Sequence, residues 1–284
     1  MNVVEHVFEI AESFMECPRD VVINDWQINS ISKQLKNSQK PKFPTPEINN
    51  PLVGCILELT AASINYCYWY GKHNIRPGGS SSTLMYELML ESFNDFEPCL
   101  YDFNRCINKF KETLALNRFP LLEKRCQHLD ELVQNDAVDY CSKIINDHES
   151  IMPHLNELIR LFPGFASDIF LKRASLFFIQ LFRRFGWFNH DLHKLHVPAD
   201  YQVPKMLEHF GCFSYSPELY NKIENGQLIL KTSWEECEIR SATILAIKQL
   251  CINTGWNVAE VDAFFFLKRR ETQRPFHLTI TTDY

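Results

Sequence analysis

Residues 158–174 read LIRLFPGFASDIFLKRA, and the reading of this stretch decides the fold. Leu158, Ile159, Leu161 and Phe162 carry an apolar helical pattern into Pro163-Gly164, a pair that ends helices. Residues 167–188, SDIFLKRASLFFIQLFRRFGWF, then restart the pattern as a second, strongly apolar helix. A short turn between two helices aims backbone N–H groups at one point, and the second helix adds its positive end. Such a turn suits a phosphate. Pro-Gly also marks any ordinary interhelix turn, and that is the commoner use of the pair.

Outward from this hairpin the chain is helical nearly everywhere. Residues 2–16, 52–70, 83–93 and most of 100–182 show helical apolar spacing, with breaks expected at Pro120, Pro153 and Pro163-Gly164. Residues 37–51, NSQKPKFPTPEINNP, are polar, hold four prolines and read as a loop, as does GKHNIRPGGSSS at 71–82. Downstream, a helix is expected in PKMLEHFG, closed by Gly211. Another is expected in SPELYNKIENG, with Ser216 as N-cap, Pro217 at the first position and Gly226 at the end. EECEIRSATILAIKQLCINTG and NVAEVDAFFFLKRRE read as two more helices, and FHLTITTDY as a short strand or extended tail. With only 9 Gly in 284 residues, tight β-hairpins are disfavoured, and the expected class is mainly α with few or short strands.

The length suits one domain, residues 1–284, with a helical N-terminal half to about 150 and a C-terminal half from about 151 to 284. A net charge of −6 argues against a surface built to coat duplex DNA, whose affinity rests on neutralising phosphates. The ten cysteines include no C-x-x-C pair and no zinc-finger spacing. Reduced thiols in a cytoplasm-like compartment are expected. The opening MNVVEHVFEIAESF lacks a basic region before its apolar residues, and no apolar run approaches the ~20 residues of a membrane span.

Several residues are candidates for chemistry. Asp200, in PADYQVP at 198–204, stands where a helix begins, so it is either a cap or a carboxylate held at a helix mouth. Those roles are compatible. Glu236, Glu238 and Arg240 precede an apolar run; Glu238 and Arg240 either pair, point into a pocket or lie in a solvated first turn. Asp262 sits among apolar residues, where a carboxylate is costly unless paired. His190, His193 and His196 in HDLHKLH offer weak metal spacing in a loop, and surface histidines are the commoner reading. NYCYWYGKHNIRPGG, with Tyr66 and Trp69, places aromatics beside cations, as a nucleobase site does and as a core helix running into a loop also does.

The helix-turn-helix at 158–174 resembles the helix-hairpin-helix of base-excision DNA glycosylases, in which a catalytic aspartate follows the hairpin. With KRASLFFIQL (172–181), ADYQVPKMLEHFGCFSYSPELYNKIENGQLI (199–229), EECEIRSATI (235–244), VDAFFF (261–266) and PFHLTITTDY, the chain resembles the queuosine salvage family. NYCYWY at 65–70 is similar to an aromatic stretch of the same family. The resemblance implies a helical, DNA-glycosylase-like fold and hydrolysis of the bond between a 7-deazaguanine base and ribose 5′-phosphate. It implies Asp200 as the catalytic carboxylate, Asp262 as a holder of base or sugar, Lys172 or Arg173 facing the phosphate, and Tyr66 and Trp69 walling the base. Tyr201, Glu238, Arg240 and His277 complete the expected substrate-binding set. No metal and no cofactor are implied.

The chain also departs from the family. Phenylalanines replace a tryptophan near Asp262, Gln202 stands where an arginine often follows Ala-Asp-Tyr, and the loop after the aromatic stretch is unlike the family's. These differences keep two other readings open. One is a bacteriophage-type enzyme that transfers an amino acid or amine onto an activated 5-hydroxymethyl pyrimidine in DNA. The other is a nucleotide-binding protein without turnover.

Overall fold

The computed structural model describes residues 3–69, 81–93 and 102–284. Among these, fourteen α-helices and two short strands occur. In chain order they are α1 (Val3–Met15), β1 (Val21–Ile23), α2 (Asp25–Lys36), α3 (Pro51–Ser63), α4 (Ser81–Ser92), α5 (Phe103–Leu116), α6 (Leu122–Gln134), α7 (Ala137–Asn146), α8 (Ile151–Leu161), α9 (Pro163–Ala166), α10 (Lys172–Phe185), α11 (Gln202–His209), β2 (Phe213–Tyr215), α12 (Pro217–Glu224), α13 (Trp234–Thr254) and α14 (Val258–Lys268). The loop residues 70–80 and Cys99 lie outside the described residues, so the distinctive loop after the aromatic stretch is undescribed except at its last two positions, where α4 begins.

Local signals set many boundaries. Ser216 accepts from the Leu219 amide to start α12, and Gly226 follows it at φ 59°. Gly255, at φ 72°, closes α13 in the left-handed conformation that glycine tolerates. Pro153 does not break α8: it occupies the first turn, where its missing N–H has no intrahelical role. The break expected at Pro120 falls within Asn117–Leu121, between α5 and α6, whereas the break at Asn135–Asp136, between α6 and α7, is one that sequence spacing misses.

Two helices carry the frame. α13 is buried on nearly every side, with α1 and α2 packed against it. α3 packs on α10 and α7, while α11 packs on α14. The strands form one antiparallel pair, with Val22 opposite Ser214. Glu238 secures that pair: its Oε1 accepts from the backbone amides of Arg19, Asp20 and Val21 at 2.9, 2.8 and 2.7 Å. Glu238→Gln removes the charge from these three bonds and is expected to cost about 1–3 kcal/mol, read as a lower denaturant midpoint with an unchanged slope.

Sequence periodicity extends α3 to residue 70, but the helix stops at Ser63 and residues 65–68 run without helix or strand. The reason is tertiary. The buried Arg125 guanidinium donates to the carbonyls of Ile64, Tyr66 and Cys67, oxygens that a continuing helix would need for itself. Cys67 adopts φ 40°, and its amide donates to the Tyr284 carbonyl at 2.8 Å. The tail 276–284 is therefore largely an internal packing element, with Leu278 in an isolated parallel bridge to Leu228.

Candidate active site

The segment before α11 delivers Asp200 to a half-buried position. Its Oδ1 accepts from the amides of Gln202 and Val203 at 2.7 and 3.3 Å, so the carboxylate does cap the helix start. No described residue donates to Oδ2. The carbonyl just before it, that of Ala199, accepts from Arg240 Nε at 3.0 Å, which fixes the approach of the chain.

The titration of three ionic groups feels this carboxylate. Lys172, at the first position of α10, is buried, and its Nζ donates to the Asn65 carbonyl and side-chain oxygen at 2.9 and 2.7 Å. Burial pushes its ammonium down to about 8, against the pull of the Asp200 charge. Asp262, on α14, pairs with Arg183 Nη2 at 2.7 Å; burial raises its pKa, Arg183 opposes that rise, and Asp200 adds to it. The third group is Arg269, just past α14, whose charge also feels Asp200. Tyr201 lies beside the carboxylate, its ring stacked on Phe276 at 4.5 Å.

Other expected site residues are committed elsewhere. Arg173 donates to the carbonyls of Ser63 and Gly164, so it ties the hairpin to the end of α3. Glu238 and Arg240 do not pair with each other, because residues two apart point to different sides of a helix. Both are fully buried, so neither lies in a solvated turn. Arg240 instead forms a bidentate pair with Asp168 at 2.8 and 2.7 Å and reaches Glu236 at 3.3 Å. His277 meets the Tyr284 hydroxyl at 3.2 Å; burial, aided by Arg240, lowers its pKa to about 3, which leaves it neutral. Tyr66 lies under the Arg125 guanidinium at 4.5 Å and edge-on to His128, with its hydroxyl buried and unpartnered among the described residues. Trp69 is buried, and its Nε1 also lacks a described partner.

Helices flank the Pro163-Gly164 turn, with the short α9 between them and the second helix starting only at Lys172, but two of the amides here are occupied from within. The Gly164 amide donates to Glu131 Oε2 at 2.9 Å. The first amide of α10, Lys172 N, donates to Asp168 Oδ2 at 2.8 Å. Two internal carboxylates thus take amides that the turn would otherwise offer to an anion. A Cβ at Gly164 would meet His128 at 2.6 Å, so the turn is also closely covered.

The histidine stretch does not converge. His190 and His193 are exposed, His196 is buried with Nδ1 near the Val197 carbonyl, and among the described residues no group of three metal-ligating side chains comes together. No described helix is long and apolar enough to cross a membrane. Sequence reasoning missed Arg183, Asn65 and Asp168. Only the apolar setting of Asp262, which demands a cation, pointed toward one of them.

A profile of the queuosine salvage proteins matches residues 57–279, a span that holds the hairpin, Lys172, Asp200 and Asp262. The chain belongs to this family. Its relatives named queuosine 5′-phosphate N-glycosylase/hydrolase include one from Dictyostelium discoideum, 37% identical over 219 residues covering 68% of this chain and 64% of that protein. One from Sphaerobacter thermophilus is 31% identical over 190 residues, covering 58% of each chain. One from Schizosaccharomyces pombe is 25% identical over 182 residues, covering 57% of this chain and 52% of that protein. The queuosine salvage match thus spans between about half and two thirds of these relatives' length.

Proposed function

We propose that this chain is an N-glycosyl hydrolase that cleaves queuosine 5′-phosphate to free queuine and ribose 5-phosphate. The single observation that carries this reading is the Asp200 carboxylate, with one oxygen fixed by two amides, no described donor on the other, and its charge felt by the buried Lys172 and by Asp262 of the Asp262–Arg183 pair. The names of the family relatives supply the substrate.

The chemistry follows from the charges. Breaking the bond to the base leaves positive charge on the ribose ring, at C1′ and its ring oxygen. A carboxylate placed on that face stabilises the cation or traps it as an ester, and water completes the hydrolysis. The buried Lys172 ammonium feels the Asp200 charge, which opposes the loss of its proton on burial. Asp262, held by Arg183, is a rigid acceptor for sugar hydroxyls or base N–H groups. The occupied hairpin donors favour a free nucleotide over a duplex.

Incubation of the purified protein with queuosine 5′-phosphate is expected to release queuine, detected by mass spectrometry. No release by a folded protein would overturn the assignment.

The pH dependence carries a second expectation. Below about 8 Lys172 is charged, and above it the ammonium is lost. Turnover is expected to fall as pH rises through about 8, and Lys172→Met is expected to flatten that limb. Stability should move the other way. The unfolded chain holds this proton up to about 10.5, so between the two values the unfolded state binds more protons and folding gains from rising pH. Falling turnover with an undiminished contribution to thermal stability separates loss of a charge from loss of the fold.

A further inference from the structure

We propose that Asn65 is a positioning residue that fixes the Lys172 ammonium, an inference whose bearing on turnover rests on the glycosylase reading above. At the end of α3 a strip of backbone carbonyls meets three buried cations. Arg173 takes the Ser63 carbonyl, and Arg125 takes those of Ile64, Tyr66 and Cys67. The Asn65 carbonyl goes instead to Lys172 Nζ at 2.9 Å. Here the side chain joins its own carbonyl, with Oδ1 accepting from the same nitrogen at 2.7 Å. The strip is itself held, since the Cys67 amide donates to the Tyr284 carbonyl at 2.8 Å.

The choice of an amide matters. An ammonium carries three donors and no acceptor. Lys172 Nζ spends two of them on Asn65, and among the described residues it has no further acceptor and no ion-pair partner. Two neutral oxygens thus replace water lost on burial without cancelling the charge. Burial works against that charge, as do Arg173 and Arg240, while Asp200, Asp168 and Asp262 favour it. A chain of bonds also ties the ammonium's backbone to the approach of Asp200. Asp168 accepts from the Lys172 amide at 2.8 Å and from Arg240 at 2.8 and 2.7 Å. Arg240 Nε in turn donates to the Ala199 carbonyl at 3.0 Å, one residue before Asp200. With its backbone set by Asp168, Lys172 depends on Asn65 to set its charged end.

The test follows the Lys172 titration by NMR of carbon-labelled lysine, with its resonance identified by its absence from Lys172→Met. Asn65→Leu removes one of the two acceptors and should lower the midpoint by about one pH unit, a tenfold weaker hold on the proton. Asn65→Asp is nearly isosteric and sacrifices no bond, because Asn65 Nδ2 has no acceptor among the described residues. Its carboxylate should raise the midpoint by about as much. A merely structural role would lower thermal stability without moving the two titrations in opposite directions. Each variant decides by itself where the other does not fold: a midpoint unmoved, or moved the other way, in either folded variant would overturn the proposal. The alkaline limb of queuosine 5′-phosphate turnover should move with the titration, and a limb that stays put would overturn the link to catalysis. If the wild type releases no queuine, the glycosylase reading fails, and the titrations alone then decide the role of Asn65.

Discussion

Arg240→Leu is expected to lower the thermal midpoint by about 10 °C, from a loss of about 3–5 kcal/mol. The side chain sits at 1% exposure between the rings of Phe170 and Tyr284, and its guanidinium satisfies both oxygens of Asp168. Removing it strands Asp168 and Glu236 as buried carboxylates without their cation, and removing one partner of such a pair is far costlier than replacing both. A double-mutant cycle with Asp168→Leu should therefore show strong coupling. Turnover should fall as well, since the Ala199 carbonyl that Arg240 Nε holds is one residue from Asp200. A midpoint within about 2 °C of wild type would show that the pair contributes little to stability.

Helix content and several helix ends were legible because they depend on neighbours in the chain. Ser216, Pro217, Gly226 and Gly255 act locally, and each performs the role its type suggests. The strands were not legible. β1 is three residues long and depends on Glu238, more than two hundred positions away, for its first amides. α2 was missed too, although Asn24 caps it, because its apolar residues are sparse. The end of α3 failed for a related reason: an arginine from α6 overrides the helical pattern of residues 64–69.

The site divides the same way. Asp200 was legible from the motif around it and its helix-start position. Asp262 was legible as a carboxylate in need of a partner, but the partner, Arg183, was not. Glu236, Glu238 and Arg240 read as one group in sequence, yet Glu238 faces away from the Glu236–Arg240 pair and serves the start of β1. The turn at Pro163-Gly164 was readable, while the hold of Glu131 and Asp168 on amides there is visible only in three dimensions.

Asp200 carries the central claim, that one carboxylate both caps α11 and acts on the sugar. Asparagine caps helices as well as aspartate does, because its side-chain oxygen also accepts from the following amides. Asp200→Asn therefore keeps the bonds to Gln202 and Val203 and removes only the charge. The decisive measurement is queuine release from queuosine 5′-phosphate by wild type and Asp200→Asn, with thermal midpoints taken on the same samples. The account predicts a loss of turnover of about 10³-fold, within the range for catalytic proton-transfer and charged groups, with the midpoint nearly unchanged. Release at the wild-type rate from a folded Asp200→Asn protein would contradict it and leave Asp200 as a helix cap alone.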